Sequence, residues 1–128
     1  MKRYSQKGRE KRIEERKDFP EFFQKHIQII KDGRLCCEEC GERLKGDVSE
    51  IAHVLPKSKF KSISTNDLNV IYLCGMYSNN NCHSCFDNWP QEKIKEMNIF
   101  PKVCELFKKL EQQITENINY KVYDKYTN

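Results

Sequence analysis

The sequence lacks a long apolar run, an internal repeat and a low-complexity linker. No stretch approaches the roughly 18 to 20 consecutive apolar residues that a membrane-spanning helix needs, so we expect a soluble protein with no membrane partner. At 128 residues the chain is too short for two well-packed domains. One domain with extensions is therefore the default expectation.

The chain also has little material for a thick core, since hydrophobic residues make up 38% of it and charged residues 33%. Seven cysteines are present, and no segment resembles a secretory signal peptide. An odd number of cysteines argues against a closed disulfide framework. Clustered thiols in a reducing compartment more often bind metal. We therefore expect a cytoplasmic protein in a reduced intracellular setting.

Positive charge is concentrated at the N-terminus. Residues 1–17 carry eight Lys or Arg and three Glu, a net +5, which leaves −1 for the other 111 residues of a chain whose total is +4. Such an arm commonly contacts nucleic-acid phosphates, because neutralising them releases counterions. A solvated, partly disordered start or a charged helix is the alternative. We assign residues 1–18 to a basic arm with four candidate phosphate contacts: Lys2, Arg3, Lys7 and Arg9.

An N-terminal helix is expected after this arm. Apolar residues at 19, 22, 23, 27 and 30 form an amphipathic stripe, which predicts a helix near 19–31 in a segment, 19–34, that packs on the core. Pro20 favours a helix start here, and Gly33 favours its end. His26 shares the apolar face and is expected to be a packed histidine rather than a ligand.

A C-terminal helical extension is expected over 91–128. Its apolar stripe runs from Val103 to Ile118, with Pro101 in the first turn, which predicts a helix that packs on the core or on a partner subunit. Cys104 on this helix is expected to be a reduced, buried thiol. The last ten residues are polar and are expected to fray.

The central region predicts two short strands and a helix. Residues 48–55 read as a strand, with 43–45 as a candidate partner, and "NDLNVIYLC" is a second short apolar run. Residues 83–89 can start a helix. Lys57, Lys59 and Lys61 alternate, so in an extended segment they would project to one side, toward a phosphate backbone or toward water.

Cysteine spacing predicts a metal site. Cys37 and Cys40, with two residues between them and Gly41 after them, have the spacing of a knuckle that directs both sulfurs to one metal. Cys74 and Cys82 can complete a tetrathiolate site. Zinc suits such a site because thiolates are soft ligands and a closed four-coordinate centre needs no redox chemistry. A structural Zn²⁺ here would crosslink the chain and so stabilise a small core.

The residues alone leave alternatives to this ligand set. Cys36 can replace Cys37, and Cys85 can replace Cys74 because it has the ordinary two-residue spacing from Cys82. His83 can also replace a cysteine, since sites with three cysteines and one histidine are common.

The motifs "IAHVLP", "NDLNVIYLC" and "CHSCFD" resemble the HNH endonuclease family. The resemblance covers about residues 36–88, within a core that we assign to 35–90. It implies a small α+β fold, the treble-clef-like ββα-metal core with a four-cysteine zinc clip, here flanked by N-terminal and C-terminal helices. The family's histidine, asparagine and second histidine would be His53, Asn69 and His83.

Loop length links this resemblance to the zinc ligands. The family commonly has two residues between its last two cysteines, whereas seven, 75–81, separate Cys74 from Cys82 here. Removing five of them would place His83 nine positions after Asn69, similar to the family spacing. The resemblance therefore favours Cys74 and Cys82 as the second pair.

The resemblance also implies catalytic roles. His53 would be the general base that takes a proton from water, and Asn69 would fix the loop and orient that base through an amide hydrogen bond. His83 and Asp87, four apart on a helix, would hold Mg²⁺ or another divalent cation. Attack on a phosphodiester would leave a 5′ phosphate and a 3′ hydroxyl.

The sequence departs from the family at Ala52, where many relatives have an aspartate or histidine that binds the metal. A branch with "AH" here and "HxxFD" downstream is more similar, and its pattern assigns the carboxylate to Asp87. Glu50 is a fallback ligand, although in a strand it would face away from His53.

We therefore expect a metal-dependent endonuclease that nicks or cuts DNA, as a monomer or homodimer. Two rival functions are a non-catalytic zinc-dependent DNA-binding module, which would tolerate loss of His53, and a protein-interaction zinc domain, in which the terminal helix would be the working surface.

Overall fold

The computed structural model of the chain describes the backbone over residues 6–126 and the side chains over 20–119 and 121–126. Lys2 and Arg3 lie outside the described residues. The described part is a small α+β fold, as the sequence predicts, with five helices and a two-stranded sheet. In chain order these are α1 (Gln6–Gly33), β1 (Ile51–His53), β2 (Val70–Tyr72), α2 (Cys82–Asn88), α3 (Gln91–Ile94), α4 (Phe100–Leu110) and α5 (Tyr120–Tyr126).

Helix α1 begins well before the predicted start and continues through Pro20. A proline inside a helix loses one backbone hydrogen bond and costs about 3 kcal/mol. Burial of the following apolar stripe offsets this cost, because Phe22 and Ile30 lie in the core. The helix ends at Gly33, as predicted.

The sheet pairs β1 with β2 in antiparallel order, with Ala52 opposite Ile71. The predicted strand is too long, because residues 48–50 form a 3₁₀ turn. The predicted pairing with 43–45 is also wrong. The buried Glu50 carboxylate accepts the backbone N–H groups of Lys45, Gly46 and Asp47, which folds that segment into a loop instead.

The segment after β1 is not extended either. It turns at 57–59 and forms a 3₁₀ turn at Lys61–Ile63. The expected projection of Lys57, Lys59 and Lys61 to one side therefore does not arise from strand alternation, although all three are exposed.

The C-terminal extension folds back on itself. Helix α4 has Pro101 in its first turn, as predicted, but ends at Leu110 rather than continuing to Ile118. Helix α5 returns against α4, with the Tyr126 ring stacked on Phe107 at 5.1 Å between centroids. The expectation of fraying is thus wrong for the described part of the tail. Within the described residues, no helix combines the length and the apolar character that crossing a membrane requires.

Candidate functional site

Four cysteines converge at one point of the fold: Cys37, Cys40, Cys74 and Cys82. Their sulfur atoms all lie within 4.8 Å of one another, and those of Cys40 and Cys74 are 3.7 Å apart. Around a tetrahedral Zn²⁺ with bonds of about 2.3 Å, neighbouring sulfurs would be about 3.8 Å apart. The cluster therefore has the donor set and the size that a metal ion such as zinc requires.

Backbone geometry directs these sulfurs inward. In the first pair, the Gly41 N–H donates to the Cys37 carbonyl at 2.9 Å and the Cys40 N–H donates to the Cys37 sulfur at 3.4 Å. Gly41 has φ +81°, a conformation that favours glycine. In the second pair, the Cys82 N–H donates to the Cys74 sulfur at 3.3 Å. Such donors stabilise thiolates.

The cluster also needs a cation for its thiols to ionise together. Burial raises the pKa of Cys37, and burial together with the neighbouring sulfurs raises that of Cys82. Burial acts in the same direction on Cys40, but hydrogen bonds from the Glu42 backbone, the Asn80 amide and neighbouring cysteines lower its pKa to about 7. A divalent cation would offset the repulsion among several thiolates.

The alternative ligands lie outside the cluster. Cys36 is exposed, and the sulfur of Cys85 faces the Asn80 carbonyl at 3.8 Å. Both ring nitrogens of His83 are engaged elsewhere: Nδ1 donates to the Ser49 carbonyl at 2.6 Å, and Nε2 lies 3.1 Å from Asp87 Oδ2.

A separate cleft of about 550 Å³ lies beside α2, and it brings together His53, at the end of β1, with His83 and Asp87. Lys57 also lines it, with Nζ 5.1 Å from the centroid of the Phe23 ring. The two sequence-predicted groups, the base and the pair of cation ligands, therefore face one cavity.

The Nε2 atom of the His53 imidazole is buried and has no hydrogen-bond partner among the described residues. Burial lowers the pKa of His53 to about 4, and the nearby charges of Lys57 and His83 act in the same direction, whereas the Ser64 backbone acts to raise it. The ring is thus neutral at pH 7.

The His83 and Asp87 side chains form a pair on one face of α2. The hydrogen bond that His83 donates to the Asp87 carboxylate raises the pKa of His83, and the bond that it donates to the Ser49 carbonyl adds to this effect. Since Nδ1 donates to a backbone carbonyl, Nε2 is the atom directed at the carboxylate. A bound cation would take the place of the proton between these two atoms.

Asn69 lies behind the cleft and is completely buried. Its Oδ1 accepts the Leu55 N–H at 2.7 Å, and its Nδ2 donates to the Leu55 carbonyl at 3.0 Å. The amide thus fixes the loop that follows His53, and its hydrogen bonds are to backbone groups rather than to the imidazole.

Neither Ala52 nor Glu50 supplies a third ligand atom to the cleft. Ala52 is buried and has no ligating atom, and Glu50 is occupied by the backbone amides of the 45–47 loop. Of the residues predicted as cation ligands, His83 and Asp87 are those that line the cleft.

The seven-residue loop 75–81 begins at Gly75, which packs closely against Ser49. A Cβ atom there would lie 2.7 Å from the carbonyl oxygen of Ser49, the same oxygen that accepts the His83 hydrogen bond. Only glycine fits this approach.

Two residues that sequence reasoning missed, Lys125 and Tyr126 of α5, also line the cleft. The only local signal is the spacing of Val122 and Tyr126 on one helical face. Of the candidate phosphate contacts, the side chains of Lys7 and Arg9 lie outside the described residues, and Lys57, Lys59 and Lys61 are exposed. No family model, curated protein or solved structure matches this chain.

Proposed function

We propose that this chain is a small metal-dependent DNA endonuclease of the HNH kind, with a ββα-metal core formed by β1, β2 and α2. One observation carries the proposal: the unpartnered His53 and the His83–Asp87 pair line the same cleft. The three groups come from sequence positions up to 34 residues apart, and packing a core does not require them to meet.

His53 is the general base of this proposal. As the neutral imidazole, His53 would accept a proton from the attacking water at Nε2, which has no hydrogen-bond partner among the described residues. Asn69 acts through the backbone, because it holds the loop that carries Leu55 and so limits movement of the base.

His83 and Asp87 would hold Mg²⁺ or another divalent cation. When bound, such a cation would offset negative charge on the phosphate and on the departing 3′ oxygen. The Ser49 carbonyl orients the His83 ring for this role. The products would be a 5′ phosphate and a 3′ hydroxyl.

The four-cysteine cluster is proposed to hold a structural Zn²⁺, consistent with its sulfur separations and its inward backbone donors. Because Cys82 and His83 are adjacent, the metal would fix the start of α2 and with it the cation ligands.

DNA is the proposed substrate. Lys57 reaches the cleft, and Lys59 and Lys61 are exposed nearby in sequence, where they can contact phosphates. The basic arm would extend these contacts. One cleft cuts one strand per event, so double-strand cleavage would require two copies.

Plasmid cleavage tests the proposal. Wild type should nick supercoiled DNA when Mg²⁺ or Mn²⁺ is added, and His53→Ala should lower the rate by about 10²- to 10⁴-fold. Zinc content and melting temperature must be unchanged in the variant. Equal nicking by both proteins, or by neither, would reject the general base.

A matched aspartate pair tests the cation site. Asp87→Ala should raise the Mg²⁺ concentration for half-maximal nicking, whereas Asp124→Ala, which removes an exposed carboxylate from α5, should leave it unchanged. An equal response of the two variants would show that Asp87 does not bind the cation.

A second candidate is a zinc-dependent DNA-binding module without catalysis. The buried Ala52 favours it, since the cleft has only two protein ligands. Zinc-dependent DNA binding without metal-stimulated nicking would select this function.

A further inference from the structure

Helix α5 carries a lysine into the candidate active-site cleft. Lys125 lines the cavity together with His53, His83 and Asp87, although it lies 38 residues beyond Asp87 in the sequence. Its side chain is half-buried.

The backbone that carries this lysine is held on both sides. The Gln91 side-chain amide donates to the Lys125 carbonyl at 2.6 Å. The next residue, Tyr126, is 2% exposed, and its hydroxyl donates to the Val54 carbonyl at 2.5 Å. Val54 directly follows His53, so the lysine and the candidate base are fixed to the same piece of backbone.

The ammonium group is partly desolvated and has no anionic partner. Its Nζ lies 6.0 Å from the centroid of the Phe86 ring and 5.3 Å from that of Tyr126. Among the described residues, no carboxylate lies within ion-pair distance of it. Burial lowers the pKa of Lys125, whereas the charge of Asp87 acts to raise it and that of Lys59 to lower it further.

We infer that Lys125 is a phosphate-binding residue, whose Nζ donates to a non-bridging oxygen of the phosphate that is cut; the inference rests on the proposed function. Lys125 and Lys57 both line the cleft, and among the described lining residues one carboxylate, that of Asp87, accompanies them. This balance suits an anionic diester. Hydrogen bonds between charged groups are also stronger in a partly dry site.

The test compares Lys125→Met with Lys121→Met. Both remove one positive charge from α5, but Lys121 is exposed and does not line the cleft. Methionine keeps the aliphatic stem that packs near Phe86. Lys125→Arg, which keeps the charge, is the conservative variant. Zinc content and thermal unfolding are measured for all three.

Two readouts separate phosphate binding from a structural role. The first is kcat/KM for nicking with Mg²⁺, which Lys125→Met should lower about 10- to 100-fold. The second is the affinity for a duplex oligonucleotide at several salt concentrations, without added Mg²⁺ or Mn²⁺. Loss of one phosphate contact should reduce the slope of log K against log salt by about 0.9. Lys121→Met should change neither, and Lys125→Arg should restore most of the slope.

Each outcome is informative. If wild type nicks DNA and the two methionine variants behave alike, Lys125 does not bind phosphate and the endonuclease proposal stands. If wild type does not nick but only Lys125→Met loses salt slope, the phosphate contact stands and the endonuclease proposal fails. If wild type neither nicks nor binds DNA, both are overturned.

Discussion

Cys82 and His83 are adjacent at the start of α2, yet they belong to regions of opposite character. In the cysteine cluster, four sulfurs converge and backbone N–H groups point at them. In the cleft, the Nε2 atom of His53 is buried and has no hydrogen-bond partner among the residues that the structure describes. An unsatisfied buried polar group costs about 1–3 kcal/mol. The first region draws its contacts from the chain itself, whereas the second contains a polar atom to which no described residue is hydrogen-bonded.

The largest expected effect comes from removing one of the four cysteines of the cluster. Cys37→Ser should release the metal and abolish cooperative unfolding, because structural zinc contributes about 10–16 kcal/mol and whole domains have about 5–15 kcal/mol. Cys36→Ser, at the neighbouring exposed position, should keep both. Metal analysis and thermal melting followed by circular dichroism measure this. Loss of metal from both variants would show that the cluster has been assigned wrongly.

A smaller effect is expected from the scaffold of the cleft. Asn69→Ala should lower the free energy of unfolding by about 2–4 kcal/mol, because it leaves a cavity and removes the partners of the Leu55 backbone. Asn79→Ala, in an exposed part of the loop, should change it by less than about 0.5 kcal/mol. Urea denaturation compares the two. Equal values would mean that the loop after His53 is held by other contacts.

The buried imidazole of His53 predicts a pH dependence. Burial lowers the pKa of His53 to about 4 in the folded state from its ordinary value of 6.5. The unfolded chain therefore binds more protons between these values, and stability falls as pH decreases through this window. Between pH 7 and pH 5 the loss attributable to His53 is about 2 kcal/mol.

His53→Gln isolates this contribution. The difference in unfolding free energy between pH 7 and pH 5, measured at saturating Zn²⁺, should be about 2 kcal/mol smaller in the variant than in wild type. Identical pH profiles would contradict a buried, neutral His53.

The smallest effect is expected at Cys85, which lies between His83 and Asp87 but belongs to neither region. In the described structure, its sulfur makes a single hydrogen bond, a long one to the Asn80 carbonyl. Cys85→Ser should retain the metal and change the unfolding free energy by less than about 1 kcal/mol. A fall in bound metal would show that Cys85 is a ligand of the cysteine cluster.

Sequence patterns predicted the features that depend on residues close to one another in the chain. The pairing of Cys37 with Cys40, the helix that begins at Cys82 and the first turn containing Pro101 each follow from neighbours in sequence. Pro20 misled the prediction, because tertiary burial of the residues that follow it outweighs the local cost of a proline. Glu50 was predicted as a fallback ligand, but its carboxylate accepts backbone hydrogen bonds from residues 45–47 and does not line the cleft.

The missing parts of the site depend on distant contacts. Tyr126 is buried by a hydrogen bond to Val54, 72 residues away, and no pattern within the tail indicates that partner. The Ser49 carbonyl that accepts a hydrogen bond from His83 likewise cannot be predicted from side-chain identities. The sequence therefore suggested the candidate side chains of the cleft, but not the backbone groups that orient them.

The close approach of Gly75 to Ser49 has a consequence for mutational tolerance. Any side chain at position 75 would displace the carbonyl that orients His83. In a saturation screen scored by DNA cleavage, Gly75 should be as intolerant as the histidines, although it has no functional group. Met76 and Tyr77, each 66% exposed, should accept most substitutions. A screen would thus place the boundary of the candidate site inside the loop, between residues 75 and 76.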